Sequence, residues 1–152
     1  MMFHDFVALY FADMENRLKP STISSKRFLV ELKIMPFFGQ MALNDIKPTD
    51  VRRWQNQLAT YRNEKDEPYA PTYLREIQNQ LTAIFNYAVK YYGLKENPCH
   101  KAGSMGKKNA DEMQFWTKAE FDSFIEAVAD KAASYAIFMT LYYTGMREGE
   151  LL

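Results

Sequence analysis

The strongest chemical signal in this 152-residue sequence is its stretch Thr144-Gly145-Met146-Arg147-Glu148-Gly149-Glu150-Leu151-Leu152. Arg147 follows a nearly all-apolar run and a glycine, and Glu150 stands three residues further on. A guanidinium is a planar, permanently charged fork that can hold two non-bridging oxygens of a phosphate and stabilise charge developing on them. The plainer reading of the same residues is a surface arginine paired with Glu148 or Glu150. Tyr142 and Tyr143 lie just before, but aromatic residues in an apolar helical run read as core rather than as nucleophiles. His4 and His100 have no identifiable base or orienting partner and read as a surface and a linker histidine. The single cysteine, Cys99, excludes an internal disulfide framework. No set of ligands falls at metal spacing, so a cytosolic protein without metal or other cofactor is expected.

A second kind of chemistry is written on two helix faces. At 100° per residue, Thr72, Arg75, Asn79, Thr82 and Asn86 gather about 140° from an apolar stripe centred near Leu81. That face is polar, mildly basic and free of acids, suited to phosphates and base edges. Thr22, Ser24, Lys26, Arg27 and Lys33 offer a similar set on an earlier helix. Lys101, Lys107 and Lys108 add charge in a polar stretch further on. The bland reading of each group is a solvated face. The charge balance is 19 basic against 19 acidic residues, which argues against a uniformly basic nucleic-acid binder. The total hides a partition, however: residues 17–62 carry nine Lys/Arg and three acids, whereas residues 109–152 carry three and eight.

These residues need elements to hold them, and helical periodicity dominates. Phe3, Phe6, Val7, Tyr10, Phe11, Met14 and Leu18 recur at three- and four-residue steps and predict a first amphipathic helix. Pro20-Ser21-Thr22 opens a second, with Phe28, Leu29, Leu32 and Met35 expected inward and Pro36 and Gly39 as its end. Pro48 suits the first position of a third, which buries Val51, Trp54, Leu58 and Tyr61. The fourth runs from about Thr72 to Tyr92 and stops at Gly93. These four are expected to close into a bundle over residues 1–98. A linker follows at 99–113, where periodic apolar residues give way to small and charged ones. Beyond it, over 114–152, Thr117 and Glu120 have capping-box spacing with Trp116 placed to staple on Phe121. The segment AASYAIFMTLYYTG is apolar on nearly every side, which two short helices cannot surround. The acids within the first apolar run exclude a signal peptide or membrane span there.

In this order the parts resemble the tyrosine recombinase or phage-type integrase family. TGMREGELL is similar to that family's T-G-L-R-x-x-E-L-L stretch. YAPTYLREIQNQLTAIFNYAVKYYGLKENP is similar to its last core-binding helix with the terminal Asn-Pro, and WTKAEFDSFIEA to the opening helix of its catalytic domain. The resemblance implies an all-α chain: a four-helix, SAM-like core-binding domain, a linker, and the first helices of a truncated catalytic domain. It assigns Arg147 to the first catalytic arginine and Glu150 to the acidic position after it. It implies double-stranded DNA and other recombinase protomers as partners, and a bacterial or phage-type protein at the nucleoid. The family's catalytic lysine, later histidine and arginine cluster and nucleophilic tyrosine have no match, so the chain alone is expected to be inactive. Self-association through the apolar helix is a further expectation. Two other classes remain open on the residues themselves. A non-catalytic helical DNA-binding regulator would lack the downstream catalytic residues, and a helical protein-interaction scaffold would show no salt-dependent DNA binding.

Overall fold

The computed structural model describes residues 1–109 and 115–151; the expected linker residues 110–113, Gln114 and Leu152 lie outside them. The described chain is all-helical. Its helices are α1 (Phe3–Met14), α2 (Pro20–Lys33), α3 (Met35–Phe38), α4 (Pro48–Thr60), α5 (Pro71–Tyr92), α6 (Pro98–Ala102), α7 (Lys118–Ala127), α8 (Ala132–Thr144) and α9 (Glu148–Leu151), with one 3-10 turn at Leu43–Asp45. Contacts gather into two units, Met1–Ala110 and Asp111–Leu152.

The first unit is built on α1, α2, α4 and α5. The α1 stripe is buried as its spacing predicts, through Phe3, Phe6, Val7, Tyr10 and Phe11. It meets Trp54 and Val51 of α4, and Ile77, Leu81, Ile84, Phe85 and Ala88 of α5, in one apolar cluster. Helix starts follow simple chemistry. Pro48 and Pro71 occupy first-turn positions where no intrahelical N–H is needed. The carboxylate of Asp50 accepts from the Lys47 N–H at 3.0 Å. His4 is structural, with Nδ1 2.9 Å from the Gly39 carbonyl oxygen.

Several expectations change. In α2 the buried residues are Ile23, Leu29 and Val30, with Ile34 just beyond, whereas Phe28 is 65% and Leu32 49% exposed. Two apolar registers compete on this helix, and the β-branched set at seven- and four-residue steps takes the core. Residues 99–102, expected in the linker, form α6, and Cys99 and Ala102 join the core cluster. The third change concerns Trp116, which packs edge-on against Phe124 at 4.8 Å rather than stapling on Phe121. Burial pushes the Cys99 thiol up to about 12. Labelling by a thiol reagent is therefore expected to track unfolding of the first unit, which a denaturant series of labelling rates checks.

In the second unit Glu120 accepts at 2.7 Å from both the backbone N–H and the hydroxyl of Thr117, which holds its carboxyl below the usual carboxylate range. Helix α8 packs on α7 through Phe121 stacked on Tyr142 at 4.1 Å and Phe124 against Phe138 at 4.8 Å. Tyr142 and Tyr143, expected in a core, are exposed, Tyr143 to 76%. The cause is the composition of α8: apolar residues ring the helix, and one short partner covers one side.

Candidate nucleic-acid interface

Helices α2 and α5 pack side by side, and a groove between them is lined by Ser21, Thr22, Ser25, Lys26, Tyr73 and Glu76, among others. The expected α2 residues divide. Thr22 and Ser24 are exposed, whereas Lys26, Arg27 and Lys33 are half-buried and already engaged. Lys26 Nζ donates to Gln80 Oε1 at 2.9 Å, and Gln80 in turn donates to Glu76. Arg27 pairs with Glu15 at 2.6 Å and lies over the Phe11 ring. Lys33 Nζ donates to the Tyr69 hydroxyl at 2.6 Å and sits over the Tyr61 and Tyr69 rings, which stack at 4.3 Å. Long cationic side chains have turned along the helix to internal partners. The outward surface of α2 consequently carries hydroxyls, Phe28, Leu32 and the carboxylate of Glu31 rather than cations. The groove is not free of acids either, because Glu76 stands at its edge beside the acid-free face.

On α5 the expected set also divides. Thr72 and Asn79 are exposed, and Arg75 is half-buried with no side-chain hydrogen bond or ion pair among the described residues. Thr82 and Asn86 belong instead to the seat of α6. Thr82 Oγ1 donates to the Gln78 carbonyl at 2.9 Å, and Asn97 Nδ2 donates to the Thr82 carbonyl at 3.1 Å and to Asn86 Oδ1 at 2.8 Å. Asn97 Oδ1 accepts from the Cys99 N–H at 2.8 Å, capping α6. Nothing in the pattern of α5 distinguishes these two residues from their free neighbours. The ENPC stretch did carry the signal, an N-cap asparagine followed by a first-turn proline.

The chain after α6 returns to the start of α5. Gln55 Nε2 donates to the Gly103 carbonyl at 2.7 Å and to Gln78 Oε1 at 2.9 Å, while Arg52 reaches the Ala102 carbonyl at 3.4 Å. Gly106 then crosses the first turn of α5 so closely that a Cβ there would lie 2.1 Å from the Pro71 carbonyl oxygen and 2.6 Å from the Arg75 nitrogen. Its φ of +73° also favours glycine. The Lys107 N–H donates to the Pro71 carbonyl at 3.0 Å. Lys107 and the exposed Lys108 are thereby brought to the helix end that carries Thr72 and Arg75. Sequence distance hid this meeting of cations, since more than 30 residues separate them.

In the second unit Gly145, with φ +66°, caps α8 in the left-handed conformation and turns the chain. Arg147 is exposed beyond it. The Glu150 carboxylate accepts from the backbone N–H of Arg147 at 2.9 Å. The guanidinium itself has no hydrogen bond or ion pair among the described residues, so the plain surface pair is not formed. Among the described residues no group of three or more His, Cys, Asp and Glu could hold a metal. Nor is any helix there long and apolar enough to cross a membrane.

Comparison with known proteins agrees with this architecture. Residues 2–59 match the family model described as the phage integrase N-terminal SAM-like domain. The ICEBs1 integrase of Bacillus subtilis is 24% identical over 151 residues, covering 99% of this chain and 39% of the relative. A tyrosine recombinase XerC-like protein of Caldanaerobacter subterraneus is 29% identical over 74% of this chain and 28% of its own length. The integrase of Mycobacterium phage L5 is 29% identical over 80% and 30%. No solved structure gives a significant match. The fold is thus that of an all-α integrase SAM-like bundle with further helices. These matches support kinship with the tyrosine recombinase and phage integrase family. It spans between 28% and 39% of the length of these relatives.

Proposed function

We propose that this chain is the DNA-gripping part of a site-specific tyrosine recombinase, with residues 1–98 as its core-binding domain and 114–152 as the start of its catalytic domain. The family's match to the chain supports the class of protein. The observation that carries the interface is the gathering of Arg75, Lys107 and Lys108 at the start of α5, beside the groove that α5 shares with α2. Cations there attract phosphates and fix the register of a duplex, and the hydroxyls and amides of Thr22, Ser24, Thr72 and Asn79 are of a kind that reads base edges. The reaction proposed for the whole recombinase is strand exchange through a phosphotyrosyl intermediate. Arg147 would stabilise the phosphate and Glu150 would hold its backbone in place. Other protomers on the same DNA would be the protein partners, in the cytoplasm of a bacterial host.

A salt titration of duplex DNA binding tests the interface. Arg75→Ala is expected to weaken binding by about fivefold or more and to lower the salt slope by about one unit. Lys26→Ala is expected to do less, because its charge is already linked through Gln80 to Glu76. No DNA binding by the unaltered chain at low salt would favour a protein-interaction scaffold. Equal, negligible effects in Arg75→Ala and a Lys107, Lys108 double alanine variant would place the interface elsewhere.

A further inference from the structure

Phe28 has no role in the fold or in the charge pattern just described, and its setting is unusual. It is 65% exposed at the outward apex of α2, opposite the stripe of Ile23, Val30 and Ile34. No ring or cation contacts it among the described residues. At 100° per residue Ser21, Ser24, Ser25, Glu31 and Leu32 fall within about 60° of it. It forms a ridge between two grooves, one lined by Thr22, Lys26 and Tyr73, the other by Glu15, Arg27 and Glu31.

Small hydroxyl side chains allow a helix backbone to approach another surface closely, and each hydroxyl can donate or accept. A phenyl ring standing among them, with exposed Leu32 one turn on and Glu31 at its edge, is a poor match for phosphates. The major groove presents one apolar feature among its donors and acceptors, the C5 methyl of thymine, and phenylalanine is one of the side chains that meets it. We infer that Phe28 is a specificity-determining residue that packs against a thymine methyl in the major groove. The inference rests on the DNA-binding reading above and deepens it. Phosphate contacts at Arg75, Lys107 and Lys108 would set the position of the duplex, while Phe28 supplies sequence preference without charge. Removing one apolar contact of methyl size corresponds to about a three- to fivefold change in affinity.

The test uses the 152-residue chain and duplexes that it selects from a random-sequence pool. Each thymine in a selected duplex is replaced in turn by deoxyuridine, which lacks only the methyl group. The unaltered chain is expected to lose about three- to fivefold at one or two positions. Phe28→Ala should bind the thymine duplex weaker by the same factor and be insensitive to deoxyuridine at those positions. Its salt slope should not change, and its melting temperature should match the parent, since the ring is exposed. Deoxyuridine losses that persist in full in Phe28→Ala overturn the inference, as does a parent chain indifferent to every substitution. An unaltered chain that selects no duplex at all overturns the DNA-binding reading itself, a result distinct from either.

Discussion

Replacing Arg147 with lysine, in a polypeptide that joins this segment to the rest of a recombinase catalytic domain, is expected to cut strand cleavage by about two to three orders of magnitude. DNA affinity should stay within a few-fold. Helix α8 ends at Gly145 in a left-handed cap, and Arg147 follows with its backbone N–H fixed by the Glu150 carboxylate at 2.9 Å. The carboxylate that sequence reasoning offered as the partner of the guanidinium is instead engaged with the backbone. An exposed fork, unpaired among the described residues, is therefore presented just after a helix end. A fork of that kind gains most when two phosphate oxygens acquire charge together, which is a transition-state effect rather than a ground-state one. Lysine keeps the charge but loses the two parallel donors, so the loss should appear in the cleavage rate and not in binding. Covalent protein–DNA adduct formation measures it directly. Full activity in the lysine variant would return Arg147 to an ordinary surface role. So would an adduct formed by the 152-residue chain alone, which has an arginine but no assigned nucleophile or general acid. Glu150→Gln offers a graded companion. The amide oxygen can still accept from the Arg147 N–H, so a loss well short of that in the lysine variant is expected.

What the sequence made legible and what it hid divide along physical lines. Local signals read true: the α1 stripe, Pro48 in a first turn, the left-handed stop at Gly93, and the Thr117 and Glu120 capping pair all depend on residues within one or two turns of each other. The α2 register failed because Phe28 and Leu32 form as good a periodic stripe as Val30 and Ile34. Periodicity alone does not say which stripe meets α1 and α5. Charge on α2 is engaged in a way its spacing does not show, for a related reason. Lys26, Arg27 and Lys33 are spaced like a basic surface, yet each side chain is long enough to reach a partner far along the chain, at Gln80, Glu15 and Tyr69. Conversely, the cations that do gather come from α5 and from residues after α6. Their meeting depends on Gln55, Gln78 and Asn97, polar residues buried almost completely, whose roles appear only when three helices are in place.

That dependence leads to the largest expected effect on stability. Asn97 is 5% exposed, and its amide uses both ends: Oδ1 caps α6 at the Cys99 N–H, while Nδ2 ties α6 to the Thr82 carbonyl and Asn86 Oδ1 of α5. Alanine at this position removes an N-cap, a change of about 1 kcal/mol, and strands a buried donor and acceptors at a further cost of about 1–3 kcal/mol. A total loss of about 2–4 kcal/mol follows, or a melting temperature lower by about 9–17 °C for a unit of this size. Asn97→Asp separates the two functions. Its carboxylate keeps the acceptor for the Cys99 N–H but sets oxygen against the Thr82 carbonyl oxygen, and the Asn86 amide must turn to offer a donor, so the cap survives while the tie to α5 weakens. If the tie matters as the geometry indicates, aspartate should recover only the capping share of the loss, and Cys99 should label faster than in the parent in both variants. The functional consequence follows from the path of the chain. Once α6 loosens, Gly103 to Lys108 lose their support, and the cations at 107 and 108 no longer have a fixed place beside Arg75. DNA affinity should then fall in Asn97→Ala under conditions where the unit is still folded, with a smaller salt slope than the parent. A melting temperature within 2–3 °C of the parent, less than 1 kcal/mol by the same scaling, would sink this account of how α6 is held. Affinity unchanged in a destabilised variant would instead separate the α6 seat from the interface, leaving Arg75 to act without the two lysines.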